Sequence, residues 1–193
     1  MLDNLSKYDV ILASGSPRRR DLLAGLGVRF RVLTVDGIDE SHPDGLSPQD
    51  TARHICRAKA AAYKRLLKAD SLVITADTIV CIDGDVLGKP TDEADACRML
   101  RRLAGHTHQV VTGVTVLTAR REETITVTTD VAFDSLTDEE ITHYVATCKP
   151  LDKAGAYGIQ EWIGMAAVES ISGSYWNVIG LPVHQLYRLL KTF

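Results

Sequence analysis

Nowhere is the chain more restricted than at its first strand, which passes into a helix with no loop between them. Residues 9–13 read as a strand whose apolar run is Val10-Ile11-Leu12, and Ser14-Gly15-Ser16-Pro17 turns it at once into a helix. Ser16 is a good N-cap, and Pro17 suits the first helical position, where its missing N–H costs nothing. Leu22, Leu23 and Leu26 give this helix an apolar face, and Gly25 and Gly27 offer its C-terminal stop.

The pattern recurs downstream. Residues 28–35 read as a second strand, and Ser47-Pro48 repeats the cap-plus-proline signal to open a longer helix through about Leu67. Between them, the two prolines and two glycines of residues 37–50 predict a surface loop. Residues 71–82 are a run of β-branched and apolar side chains, and Asp83-Gly84 predicts a hairpin turn into Val86-Leu87. Thr91 is the expected cap of a helix reaching about Leu103. Residues 110–118 and 124–133 predict two strands around a charged turn, with Ile125, Val127, Val131 and Phe133 on one face. Thr137-x-x-Glu140 is a capping box for a short helix, and short strands and a last helix after Pro182 finish the chain. Helices alternating with strands and hairpins indicate an α/β or α+β sheet with helices against it.

Composition narrows the class. The 193 residues suit one domain or a tightly fused two-lobed unit. With 45% hydrophobic and 24% charged residues the chain excludes a disordered tail, a coiled coil or a collagen-like fibre as its main body. Its apolar runs are broken by Thr75, Asp77 and Asp83, far short of the roughly 20 residues that span a bilayer. The opening Met1-Leu2-Asp3-Asn4 lacks the basic start and apolar core of a secretory signal, so a cytoplasmic location is expected. Against duplex nucleic acid as a partner stands the net charge of -3, from 22 basic and 25 acidic residues. The four cysteines form no C-x-x-C pair, and reduced thiols are expected. His106 and His108 share one face of a strand but lack the carboxylate or cysteine company of a transition-metal site, so they read as a solvated pair.

Chemistry concentrates in a few places. A strand ending in small residues at a helix N-terminus presents unpaired N–H groups and the positive end of the dipole, a ready anion site. Arginines in the first helical turn oppose that dipole, which makes sense where a polyanion docks, since guanidinium binds phosphate bidentately. We read Arg18 and Arg19 in this way and Arg20 as a solvated surface charge. Asp77 lies within an apolar strand, where a carboxylate is costly unless paired or metal-bound. It reads as a general base or metal ligand, or equally as an Asp hydrogen-bonded to backbone at a strand bend. Strict alternation puts Asp77 and Thr78 on opposite faces, so a bulge is needed for both to serve one site. Asp39-Glu40 would bind Mg²⁺ beside a phosphate and be loop charges elsewhere. Lys59, Lys89 (held between Gly88 and Pro90) and Lys153 are candidate phosphate contacts, and spacing alone does not choose among them. No Walker loop, G-x-G-x-x-G, G-x-S-x-G or H-E-x-x-H occurs.

Taken in order, Leu12-Ala13-Ser14-Gly15-Ser16-Pro17-Arg18-Arg19, Gly37-Ile38-Asp39-Glu40, Lys59-Ala60, Ala76-Asp77-Thr78-Ile79-Val80, Gly88-Lys89-Pro90, the stretch 150–160 (PLDKAGAYGIQ) and Gly180-Leu181-Pro182 resemble the Maf family of nucleoside triphosphate pyrophosphatases. Each motif alone is weak, but seven in order over nearly the whole chain are very specific. The resemblance implies an α/β fold as a single domain over residues 1–193: a two-lobed mixed β-sheet with flanking helices and a deep central cleft, related to the inosine triphosphate pyrophosphatases. It implies cleavage of a nucleoside triphosphate between its α and β phosphates, a house-cleaning activity on the nucleotide pool. Asp77 matches the family's catalytic acidic residue, with Ser16, Arg19, Glu40, Lys59 and Lys89 at the other substrate and phosphate positions. Arg18, Thr78 and Gln160 match positions linked to base selection. Glu40 and Asp77 are the expected ligands of a divalent cation, Mg²⁺ first, with Mn²⁺ or Co²⁺ as alternatives. Relatives suggest a homodimer. S-P-R-R, A-D-T and G-A-Y-G-I-Q are similar to the dTTP/UTP branch, whereas S-P-x-R-R with S-D-Q marks one that prefers 7-methyl-GTP. The alternatives are therefore a 7-methyl-GTP or other modified-nucleotide pyrophosphatase, or a nucleotide-binding regulator of cell division without turnover. One departure is Ala58, where many relatives carry Glu before the lysine.

Overall fold

A computed structural model describes residues 2–193. The first strand, β1 (Asp9–Leu12), runs into α1 (Pro17–Gly25) as expected. The second strand is far shorter than the sequence predicts: β2 is only Arg31–Val32, paired with Ile11 and Leu12. Both of its residues are exposed, and Arg31 is tied to Asp9 at 2.8 Å, so β2 is an edge with no buried face to extend it. Next come α2 (Pro48–Tyr63), closed by a 3₁₀ turn over Lys64–Leu66, and β3 (Ser71–Ile82), with the boundaries read from sequence. Ser47 caps α2 by accepting the Asp50 N–H. Asp83 and Gly84 take positive φ of 52° and 83°, the turn that leads into β4 (Asp85–Leu87).

The cap of α3 (Glu93–Leu103) is Asp92 and not Thr91: the Asp92 side chain accepts the Asp95 N–H, while Thr91 donates its own N–H to Asp95 at 3.0 Å. After it come β5 (Thr107–Thr118) and β6 (Glu122–Phe133), then α4 (Asp138–Cys148), which begins with both halves of the Thr137/Glu140 capping box. The last elements are α5 (Trp162–Ala166), β7 (Val168–Ser172), α6 (Tyr175–Ile179) and α7 (Val183–Leu190). Among the described residues the strands form one seven-stranded mixed sheet in the order β2-β1-β3-β5-β6-β7, with β4 on β3. β1 is parallel to β2 and β3, β4 is antiparallel to β3, and β7 is antiparallel to β6 with a bulge at Ala132/Phe133.

The chain divides into two compact units, and β3, β5 and β6 each contribute residues to both. The first unit comprises the chain up to Asp77, Thr112–Val127 and Gly180–Phe193. Alternate residues of β1 and β3 supply its two cores. Val10, Leu12, Leu72, Ile74 and Ala76 pack with Leu23 of α1 and Leu186 and Leu190 of α7, while Ile11, Ala13 and Val73 pack with Ala60 and Tyr63 of α2. Each buried Leu, Ile or Val among them contributes about 1.5–3 kcal/mol, so these strands are fixed from both faces. The second unit comprises Thr78–Val111 and Thr128–Ile179. Its core joins Val80, Ile82, Leu100, Leu103, Val131, Phe133, Ile141 and Tyr144. Among the described residues no helix is long and apolar enough to cross a membrane.

Candidate active site

In the first unit the site is built from the α1 N-terminus, the loop before α2, α2 itself and the middle of β3. Ser16 Oγ accepts the Arg19 N–H at 3.4 Å and so caps α1. No acidic residue lies in that first turn. Arg19 is half-buried; its Nε donates to the Gly180 carbonyl at 2.9 Å, and Nη1 lies 3.4 Å from Ser14 Oγ. Burial lowers the Arg19 pKa, and the nearby Asp77 and Glu40 carboxylates act against that fall. The guanidinium stays a cation. Arg18 is half-buried beside it, whereas Arg20 is exposed and meets Asp21 only at 3.7 Å, as its solvated reading required.

Lys59 reaches this place because α2 lies tightly on the sheet. A Cβ at Gly113 of β5 would stand 2.4 Å from the Ala52 carbonyl oxygen and 2.8 Å from Cys56 Sγ, so only glycine admits the helix. Thr75 Oγ1, buried in β3, donates to the Cys56 carbonyl at 2.8 Å, and Cys56 Sγ meets Thr115 Oγ1 at 3.3 Å. Three residues further on, Lys59 Nζ lies 2.6 Å from Asp77 Oδ1 and 3.0 Å from Glu40 Oε2. Lys59 and Asp77 keep only 15% and 13% of their side-chain surface, so this is a nearly dry ion pair; Glu40, at 53%, closes it from the solvent side. Tyr63, one helical turn beyond Lys59, donates to the Leu33 carbonyl at 2.9 Å and accepts the Val35 N–H at 3.1 Å, which holds the chain leading to Glu40. Asp39 is spent locally, accepting the Ser41 N–H at 2.9 Å. Ala58 lies in a surface depression with Leu46, Arg53, Arg57, Ala61 and Lys64, whose lining includes neither Asp77 nor Glu40.

Of the other expected site residues, Thr78 is half-buried and follows Asp77 directly in β3. Lys89 is exposed, and the Gly88 carbonyl before it accepts the Gly155 N–H at 3.0 Å. Gln160 is exposed at the end of the G-A-Y-G-I-Q stretch. Lys153, one of the three candidate phosphate lysines, is instead buried and paired with Asp152 at 2.7 Å and Glu161 at 3.0 Å. His106 and His108 do not behave as a solvated pair: His106 is exposed, but His108 is 1% exposed and its Nε2 lies 2.8 Å from Tyr157 Oη.

The donor chemistry of the first unit suits a hard divalent cation. Two carboxylates already share one compact positive charge, the Lys59 ammonium, and oxygen donors are what Mg²⁺ prefers. Among the described residues no group of three His, Cys, Asp or Glu side chains is set to hold a metal. Sequence reasoning missed Tyr144 and Glu161, which contact each other; the only signal was an acidic residue directly after G-I-Q.

A basic, capped helix N-terminus beside a nearly dry Lys–Asp pair is a geometry that suits an anionic ligand. Residues 9–193 match the family described as Maf-like protein. The chain is 53% identical to the dTTP/UTP pyrophosphatase of Phocaeicola vulgatus over 99% of both chains, and 50% identical to that of Parabacteroides distasonis over the full length of both. To the dTTP/UTP pyrophosphatase of Pelotomaculum thermopropionicum it is 47% identical over 96% of both. A solved nucleoside-triphosphatase (dITP/XTP pyrophosphatase) from Mycobacterium abscessus is similar at 15% identity with a TM-score of 0.42, covering 66% of this chain and 75% of that one. The chain belongs to the Maf family.

Proposed function

We propose that the protein hydrolyses dTTP and UTP to the nucleoside monophosphate and pyrophosphate, removing these or modified pyrimidine triphosphates from the nucleotide pool. The observation that carries this reading is Lys59 Nζ held between Asp77 and Glu40, in the unit that also contains the capped, arginine-bearing end of α1. Full-length relatives named dTTP/UTP pyrophosphatase support the substrate class.

In this reading water attacks the α-phosphorus in line with the departing pyrophosphate. Asp77 meets Lys59 through Oδ1, and its carboxylate takes the proton from that water. Charge shed onto the leaving group needs cations fixed beforehand, the part assigned to Arg19, Lys59 and Lys89. Ser16 holds the first turn of α1 so that its N–H groups face an anion. Arg18, Thr78 and Gln160 take the base-selecting positions; the Gln160 amide both donates and accepts, which suits uracil and thymine. Asp77 and Glu40 would hold Mg²⁺, which when bound polarises phosphate oxygens and offsets their charge. The reading places the enzyme in the cytoplasm, where its substrates are, and takes the working species as a homodimer.

The test is turnover in ¹⁸O-labelled water with wild type and Asp77→Asn. Attack at the α-phosphorus puts the label in UMP and none in pyrophosphate, and Asp77→Asn keeps its fold while losing turnover. Label in pyrophosphate, or near-normal turnover by the variant, overturns the assignment.

A further inference from the structure

Residues outside the machinery above form a polar network in the second unit, in which Lys153 also pairs with Asp152 at 2.7 Å. Residues 158–161 make a tight turn in which the Glu161 N–H donates to the Gly158 carbonyl at 2.9 Å, and Gln160 occupies its third position. Both ends of that turn are held by one atom of α4. The Gly158 N–H donates to Tyr144 Oη at 3.0 Å, and Tyr144 Oη in turn donates to Glu161 Oε2. Glu161 Oε1 lies 3.0 Å from Lys153 Nζ, whose side chain is 9% exposed. A Cβ at Gly158 would stand 2.9 Å from Glu161 Cδ and 3.1 Å from Gln160 Nε2, and one at Gly164 would stand 1.7 Å from the Ile159 carbonyl oxygen.

A buried Lys–Glu pair is weak evidence for stability, because desolvating both charges offsets most of their attraction, and apolar side chains of the same volume often do as well. Here it orients the Glu161 carboxylate, which orients the Tyr144 hydroxyl, which clamps the turn presenting Gln160. We propose that Tyr144, Glu161 and Lys153 are positioning residues for base selection, fixing the backbone turn from which Gln160 meets the uracil edge in preference to the cytosine edge. This rests on Gln160 contacting the base.

The test compares kcat and KM for UTP and CTP in wild type, Tyr144→Phe, Gln160→Ala and the double variant. Tyr144→Phe keeps the ring, which stacks on Trp162 with centroids 6.5 Å apart, and removes only the hydroxyl. It should raise KM for UTP about tenfold, the scale of one misplaced hydrogen bond, and leave kcat within about twofold. It should narrow the UTP-over-CTP preference as Gln160→Ala does, and the double variant should be no less selective than Gln160→Ala alone. A Tyr144→Phe protein with lowered Tm but wild-type UTP-over-CTP preference overturns the proposal, the network then being structural only. Should Tyr144→Phe not fold, Glu161→Gln, which keeps an acceptor for Tyr144 but breaks the pairing with Lys153, must narrow the preference too; an unchanged preference overturns the proposal. If Gln160→Ala leaves selectivity intact, base reading by Gln160 falls and takes this inference with it. A wild type inert on UTP refutes the function itself.

Discussion

Lys59 Nζ lies 2.6 Å from Asp77 Oδ1, and the two side chains are nearly excluded from solvent. Removing one member of such a pair strands the other charge in a poor solvent, which costs about 3–5 kcal/mol. Lys59→Met should therefore lower unfolding stability by about 3 kcal/mol, read from urea titrations at pH 7. Lys59→Met with Asp77→Asn should recover most of that loss, since the buried carboxylate is then neutral and Glu40, about half exposed, keeps its water. Losses that simply add in the double variant would show that the two residues are not coupled.

Gly113 decides how closely α2 lies on the sheet. Gly113→Ala places a methyl group 2.4 Å from the Ala52 carbonyl oxygen, a contact that forces the helix outward. We expect about 1–3 kcal/mol of destabilisation together with a fall in turnover, because Lys59 moves with the helix. Stability within about 0.5 kcal/mol of wild type, the range of an ordinary surface change, would mean that the helix has room to spare.

His108 gives the fold an acid limb. Burial lowers its pKa from 6.5 to about 4, and its Nδ1 has no hydrogen-bond partner among the described residues. Between those two values the unfolded chain binds a proton that the folded protein refuses, so stability falls as pH drops from 6.5 toward 4. The shift corresponds to about 3 kcal/mol over that window. His108→Leu should flatten this limb while leaving a carboxylate-driven loss at lower pH, as denaturant titrations at several pH values would show. An unchanged slope would assign the acid sensitivity elsewhere.

Local physics made much of this structure legible in advance. Ser16, Ser47 and the Thr137/Glu140 box cap their helices as read, because a capping side chain needs only backbone within three residues of itself. The 71–82 run is a strand over its whole predicted length because both of its faces are covered. Residues 28–35 failed as a strand because β-propensity says nothing about available partners, and only Ile11 and Leu12 offer pairing there. Thr91 yielded the cap of α3 to Asp92, an equally good candidate one residue on. At the site, residue types left three lysines open, and the resemblance to the Maf family singled out Lys59, Asp77 and Glu40; neither pointed to one lysine bridging both carboxylates, since these groups come from separate elements. Arg19 and Gly180 meet across 161 residues of sequence, and Tyr144 and Glu161 bring two different elements together, neither of which a spacing rule anticipates.

Product analysis bears most directly on the central claim. Purified protein is incubated in Mg²⁺ with dTTP, UTP, CTP, ATP, GTP and 7-methyl-GTP, and pyrophosphate is resolved from orthophosphate. The account predicts pyrophosphate with dTMP and UMP and little product from purines. Orthophosphate with nucleoside diphosphates, pyrophosphate mainly from 7-methyl-GTP, or binding without any turnover would contradict it.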